Sequence, residues 1–403
     1  MLSKFAGVTD EGKYVTPPHV KLSYGGMLYI RSGMLTAAGW AIAKGATIAI
    51  RYATVRRQGE LGPDGLERQT ITYPSLHVRL VPLIARAYVS IELGRALTRG
   101  FDSLARGLSS GDTSELAEMH VMTSGLKVLV STTGIQDLET ARRSMGGHGY
   151  SAFAGVGRMY ADYLPAATYE SENFVLDGQV LRAALKAFRG IFATSSPPSK
   201  ASSFSPISHY LRLLLEKELV SPELSPASWT HPATAILLLE WRAALIVHEC
   251  AQTLKEPDAS VTQRVSRAVT EAFVAGRVGE MIESLRAVLE EREAKITGKV
   301  YLLSQYLLTA VESSLVDLLS FGLFRATPTG NPPRSRDPTR ALRLAIAGLC
   351  GDAFGALGVY DGKAYEALWE KVQHELLNQT EVTEAYEVGV NQAADDAGEE
   401  DGC

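Results

Sequence analysis

Apolar residues recur three or four positions apart along most of this chain, the spacing of helices with one buried face. From residue 34 to about 57, the row Leu35, Ala38, Ile42, Ala46, Ala49, Ile50 and Ala53 predicts an amphipathic helix whose face of small residues lets a neighbour approach closely. A second row, Leu80, Leu83, Ile84, Ala87 and Ile91, predicts a helix running to 98. Pro82 lacks a backbone donor and is tolerated only near a helix start, so regular helix is expected from about Val81. A third helix is expected over 113–133, with Leu116, Met119, His120, Thr123, Leu126, Lys127 and Val130 on neighbouring rows and 137–144 as a short continuation. A fourth runs over 175–188.

Later patterns predict helices over 233–253, 260–293, 299–323 and 339–356, with a proline-bearing loop at 330–338. Gly59, Gly62, Pro63 and Gly65 make 58–70 a loop. Serine and proline dominate 194–206, the composition of an exposed linker. No stretch alternates strongly enough for a strand, and no internal repeat is seen. The expectation is an all-α fold in two lobes: a loop segment over 1–19, an antiparallel bundle over 20–193, the linker, a second helical domain over 207–390, and an acidic disordered tail over 391–403.

Composition narrows the classes. At 403 residues, 46% hydrophobic and 21% charged, the chain can bury more than one core. A net charge of −5 gives no electrostatic reason to expect nucleic acid. Cys250, Cys350 and Cys403 are too scattered for a disulfide framework or a zinc site, so no metal is expected and a reducing compartment fits. The longest apolar runs, such as 80–85 and 235–239, fall short of the roughly 20 residues of a membrane span. Nor does the amino terminus lead into a secretory signal core. A soluble, unsecreted chain is expected.

Three features could carry chemistry. Glu170 lies about twenty positions after the turn Gly146-Gly147-His148-Gly149-Tyr150, at the mouth of the 175–188 helix, near flexible backbone that can press against a ligand. There it can act as a general base on a carbon-bound proton, or simply satisfy the helix dipole; Glu172 serves either role equally on pattern alone. The glycine turn could cradle a phosphate, or could be a helix C-cap and a tight turn. It follows a helix and lacks Walker spacing, so it is neither a P-loop nor a dinucleotide fingerprint. Arg51, Arg56 and Arg57 suit a helix C-terminus, and arginine is also shaped to hold a pyrophosphate.

Taken in order, the strings Lys21-Leu22-Ser23-Tyr24-Gly25-Gly26-Met27, Ile48-Ala49-Ile50-Arg51-Tyr52-Ala53-Thr54-Val55-Arg56-Arg57-Gln58, Met145-Gly146-Gly147-His148-Gly149-Tyr150-Ser151, Tyr169-Glu170-Ser171-Glu172-Asn173 and Tyr360-Asp361-Gly362-Lys363-Ala364-Tyr365-Glu366 resemble the acyl-CoA oxidase family, whose relatives in mechanism are the acyl-CoA dehydrogenases. The resemblance implies an FAD enzyme that places a trans double bond between C2 and C3 of a fatty acyl-CoA, with molecular oxygen reduced to hydrogen peroxide. It assigns the base to Glu170 rather than Glu172. It sets Arg56, Gly146 and Gly147 against the FAD of a neighbouring subunit, which implies at least a dimer, and places Asn173 in the segment bordering the flavin. Family members usually have glycine after that glutamate and phenylalanine after the glutamine matching Gln58; here stand Ser171 and Gly59. They also carry an N-terminal helical domain and a β-domain ahead of the segment that begins here at Met1. The resemblance therefore covers their C-terminal part, and the alternatives are a truncated non-catalytic partner of an oxidase or an oxidase-like enzyme of secondary metabolism. Many relatives end in a Ser-Lys-Leu type peroxisomal address, whereas this chain ends Asp401-Gly402-Cys403, so a peroxisomal location is implied by the family alone.

Overall fold

The computed structural model describes residues 7–16, 25–63, 65–109, 112, 114–192, 204–215, 224, 227–253, 257–288, 293–323 and 342–346. The chain divides into two compact units, Met1–Ala353 and Phe354–Cys403, and every described residue lies in the first. Residues 194–203 of the expected linker, the loop at 330–338, the 360–366 string, the tail, and all of the 339–356 helix but 342–346 lie outside the described residues.

Helices dominate. In the first set, α1 (Gly25–Val55), α2 (Pro74–Ser109) and α3 (Leu116–Ser144) pack on one another. Their directions follow from which residues meet. Tyr29 stacks on Phe101 at 5.3 Å, and a side chain added at Gly94 would lie 2.2 Å from Thr36 Oγ1, so α1 and α2 are antiparallel and touch backbone to side chain. Arg86 pairs with Asp137 and Gly100 abuts Met119, so α3 turns back along α2 and runs parallel to α1. The α1 core row Leu28, Leu35, Ala38, Ile42, Ala46, Ala49 and Ala53 is almost wholly buried. Length and composition alone would let α1 cross a membrane. It packs instead against α2 and α3 with Arg31 buried at 2% exposure, the arrangement of a core helix.

Several boundaries differ from expectation. Helix α1 starts nine residues early, at Gly25. Helix α2 starts at Pro74, so Pro82 sits in its interior rather than near its start. Leu76 and His77 are buried there, with His77 Nε2 2.6 Å from the Ile71 carbonyl, and this anchoring outweighs the roughly 3 kcal/mol cost of an interior proline. In the expected loop segment over 1–19, β1 (Gly7–Val8) pairs with β2 (Tyr14–Val15), and the expected loop at 58–70 is in part a second antiparallel pair, β3 (Arg57–Leu61) with β4 (Glu67–Gln69). Both pairs are exposed on nearly every residue, so no buried face exists to print an alternating pattern.

Helix α4 (Val156–Tyr163) and α5 (Asn173–Phe192) complete the first set, and α5 lies on α3. The second set holds α6 (Pro232–Thr253), α7 (Ala259–Val288), α8 (Glu293–Ser313) and α9 (Leu315–Ser320). Helix α7 lies against α3, α5, α6 and α8. The single helix expected over 299–323 breaks at Ser314 because Arg242 on α6 and Arg264 on α7 both draw Asp317 on α9, at 2.7 and 2.8 Å. A 3₁₀ stretch, Pro206–Leu215, buries Tyr210, Leu211 and Leu213 against α6 and α7.

Candidate active site

Between α4 and α5 the chain makes the turn that carries Glu170. Glu170 and Ser171 are, among the described residues, the two non-glycine residues with positive φ, at 55° and 80°. The left-handed region costs an L-residue about 1–2 kcal/mol, so the turn must be held from outside. Two buried cations hold it. Arg31 on α1 donates Nε to the Glu170 carbonyl and Nη2 to Ser171 Oγ, both at 3.1 Å. Lys127 on α3, 0% exposed, donates Nζ to the carbonyls of Ala167 and Ser171 at 3.1 and 2.8 Å and to Asn173 Oδ1 at 2.9 Å. Hydrogen bonds to charged groups contribute about 1.5–3 kcal/mol each, so five of them exceed the strain. Where the family has glycine, Ser171 tolerates φ 80° because its hydroxyl joins this network.

The turn separates the two candidate carboxylates. Glu172 Oε2 accepts the Phe174 backbone N–H at 2.7 Å, capping α5. Glu170 is half-buried, and its Oε2 is buried with no hydrogen-bond partner among the described residues. Glu172 is thus occupied in structure while Glu170 has unused acceptor capacity. Burial lowers Arg31, opposed by Glu170; burial and then Arg31 push Lys127 down to about 8, against the pull of Glu172 and Glu170. Tyr169 is raised by burial and by the neighbouring Glu170 charge. The Asn173 amide is turned to α3, donating to Ser131 Oγ at 3.1 Å and Thr132 Oγ1 at 3.3 Å, which ties the start of α5 to that helix.

The glycine turn lies elsewhere. Tyr52 stacks on His148 at 5.4 Å, which places Gly146–Gly149 beside the C-terminal end of α1. Arg31 and Tyr52 are 21 residues apart on one helix, roughly 32 Å at 1.5 Å per residue. Glu170 and the paired glycines are close in sequence but belong to opposite ends of α1, so one chain does not bring them into one pocket. Met145 caps α3 through the Arg142 and Arg143 carbonyls, and Gly146 follows at φ 60°. Gly146, Gly147 and His148 are exposed, and a side chain at either of the first two would meet open space. Arg57 is tied to the Glu67 carbonyl at 2.9 Å, whereas the exposed Arg56 side chain has no partner among the described residues. The departure at Gly59 has a local cause: at φ 104°, a Cβ there would lie 2.5 Å from the Tyr73 hydroxyl.

Gly149 and Gly147 should separate structure from binding. A Cβ on Gly149 would lie 1.9 Å from the Arg142 carbonyl oxygen, so Gly149→Ala is expected to cost about 3 kcal/mol in urea melts. Gly147→Ala should stay within about 0.5 kcal/mol of wild type. Equal stabilities for the two variants would contradict this placement.

Arg31 and Lys127 were missed as site residues. Arg31 precedes the expected start of α1, and Lys127 falls on one of the rows of the expected third helix. The available signal was a lysine on the row of Leu126 and Val130, since an unpaired buried ammonium is costly.

The fold and turn define a predominantly helical bundle that presents a carboxylate on a cation-locked turn. The sequence profile of the acyl-CoA oxidase C-alpha1 domain matches residues 24–185, and that of acyl-CoA oxidase matches 355–393. Peroxisomal acyl-coenzyme A oxidase 1 of Homo sapiens is 30% identical over 407 residues, covering 96% of this chain and 60% of that relative. Acyl-CoA oxidase 1 of Arabidopsis thaliana superposes with a TM-score of 0.70 at 28% identity, covering 94% of this chain and 59% of that one. A crystal structure of acyl-CoA oxidase-2 from Caenorhabditis elegans bound with FAD, ascaroside-CoA and ATP gives 0.71 at 26%, covering 98% and 59%. The chain belongs to the acyl-CoA oxidase family. It spans about 60% of the length of the relatives it matches.

Proposed function

We propose that this chain carries the base of an FAD-dependent acyl-CoA oxidase, which introduces a trans-2 double bond into a fatty acyl-CoA and reduces molecular oxygen to hydrogen peroxide. The observation that carries the reading is Glu170 Oε2, buried, unpartnered and set on a strained turn fixed by Arg31 and Lys127. A carboxylate with a free acceptor atom can take the C2 proton, which the thioester acidifies, and the locked backbone keeps it from moving away.

The residues fit a flavin as two half-sites. Exposed Gly146 and Gly147 offer backbone with nothing above it, and Arg56 is an uncommitted guanidinium for a pyrophosphate. Because they lie roughly 32 Å along α1 from Glu170, they would hold the FAD serving another copy, so the proposal includes a dimer. The Asn173 segment would border the flavin of its own chain, while its amide keeps α5 in place. Bound FAD would supply the hydride acceptor and the reoxidation by oxygen. The peroxisomal name of the human relative supports a peroxisomal site for the reaction.

A second reading, a non-catalytic partner of a longer oxidase, is favoured by one observation. Tyr29 and Trp40, eleven residues apart and therefore on one face of α1, are 57% and 58% exposed, and Phe174 and Val175 beside Glu170 are exposed too. Such a surface suits cover by another protein. The purified chain supplied with FAD should retain flavin absorption bands and release peroxide from a fatty acyl-CoA. A colourless chain that co-purifies with a longer oxidase would establish the second reading in place of the first.

A further inference from the structure

Away from the Glu170 turn, α3, α5 and the Pro206–Leu215 stretch enclose a cavity of about 440 Å³. That volume lies in the range of small-molecule sites, roughly 300–1,000 Å³. Its walls are largely apolar, with Val121, Val180 and Val269 among them. Two polar atoms in its lining have no hydrogen-bond partner among the described residues. Tyr210 is 2% exposed and its hydroxyl accepts and donates nothing among the described residues; Glu118 Oε1 is likewise buried and unpaired. Buried polar atoms are normally satisfied, so two left open in one cavity indicate a missing hydrogen-bonding group. One hydroxyl has the chemistry for both, since it can donate to a carboxyl oxygen and accept from a phenol.

The mouth has the opposite character. Arg182 and Lys186, one turn apart on α5, are exposed, line the cavity, and form no ion pair among the described residues. Two cations over an apolar pocket suit an anionic end group. In the lining, burial pushes the Glu118 carboxyl up, against hydrogen bonds from the Ile207 backbone and the Ser205 side chain.

We propose that this cavity binds an amphipathic hydroxy acid, its carboxylate on Arg182 and Lys186, its chain along the valine wall, and its distal hydroxyl between Tyr210 and Glu118. The site is separate from Glu170 and needs neither FAD nor acyl-CoA, so its test is independent of the oxidase reading. Calorimetric titration of the full chain with 10-hydroxydecanoate and with decanoate is the experiment. The hydroxy acid is expected to bind at least tenfold more tightly, and Tyr210→Phe should erase that preference while leaving decanoate within twofold. The double variant Arg182→Gln, Lys186→Gln changes only exposed side chains and should weaken both ligands about tenfold. Absence of saturable binding, equal affinity for the two acids in wild type, a hydroxyl preference that survives Tyr210→Phe, or affinities unmoved by the double variant would each overturn the proposal.

Discussion

Glu170→Gln is expected to lower peroxide release from a fatty acyl-CoA by about 10²–10⁴-fold, the range for loss of a positioned general base. Glutamine keeps the side chain's size and one carbonyl oxygen but cannot accept the C2 proton. The fold should survive, because Glu170 is tied into the turn through its backbone carbonyl to Arg31 and its Oε2 makes no bond to lose. Flavin absorption should therefore match wild type while turnover collapses. Glu172→Gln supplies the contrast: the amide oxygen can still accept the Phe174 N–H, and turnover should stay within about threefold. Stopped-flow or coupled peroxide assays read both variants. A Glu170→Gln rate within threefold of wild type, or a greater loss at Glu172, would remove Glu170 as the base.

Much of this was legible in the sequence, for identifiable reasons. The α1 row from Leu35 to Ala53 is long, regular and buried, so periodicity located it, and the same holds for α6 and α7. The first nine residues of α1 were invisible because they hold Gly25, Gly26 and Gly33 and the buried Arg31, which read as turn and surface. Residues 137–144 joined α3 without a break, since Asp137 is buried against Arg86 and a polar letter at a core position interrupts an apolar pattern. Pattern could not choose between Glu170 and Glu172. The choice depends on which carboxylate caps α5, and that is fixed by a turn whose positive φ values no propensity assigns to glutamate and serine. Nor could sequence proximity reveal that the glycine turn and Glu170 lie at opposite ends of α1; α4 and the 3₁₀ stretch Leu164–Ala167 carry the chain between them.

Lys127→Met should destabilise the chain by about 3–5 kcal/mol and lower peroxide release by roughly 10²-fold. Methionine fills similar volume but leaves the Ala167 and Ser171 carbonyls and Asn173 Oδ1 without the donor they share, and the strained turn loses its support from α3. Arg31 alone then holds Glu170, and a base displaced by about 1 Å loses most of its advantage. A pH series separates this role from simple packing. Lys127 titrates at about 8 in the folded chain against an ordinary 10.5, chiefly through burial. Below pH 8 both folded and unfolded chains carry the proton, and the burial penalty is fully present. Between about pH 8 and 10.5 the unfolded chain binds more protons, so this group's contribution to stability rises with pH. Urea melts at pH 7 and 9.5 should therefore show wild type gaining on Lys127→Met as pH rises. Turnover should move the other way, because a neutral amine has two N–H donors for three acceptors and the turn around Glu170 slackens. A stability gap that stays constant across that range, together with an unaltered rate in Lys127→Met, would reduce Lys127 to a filler of space.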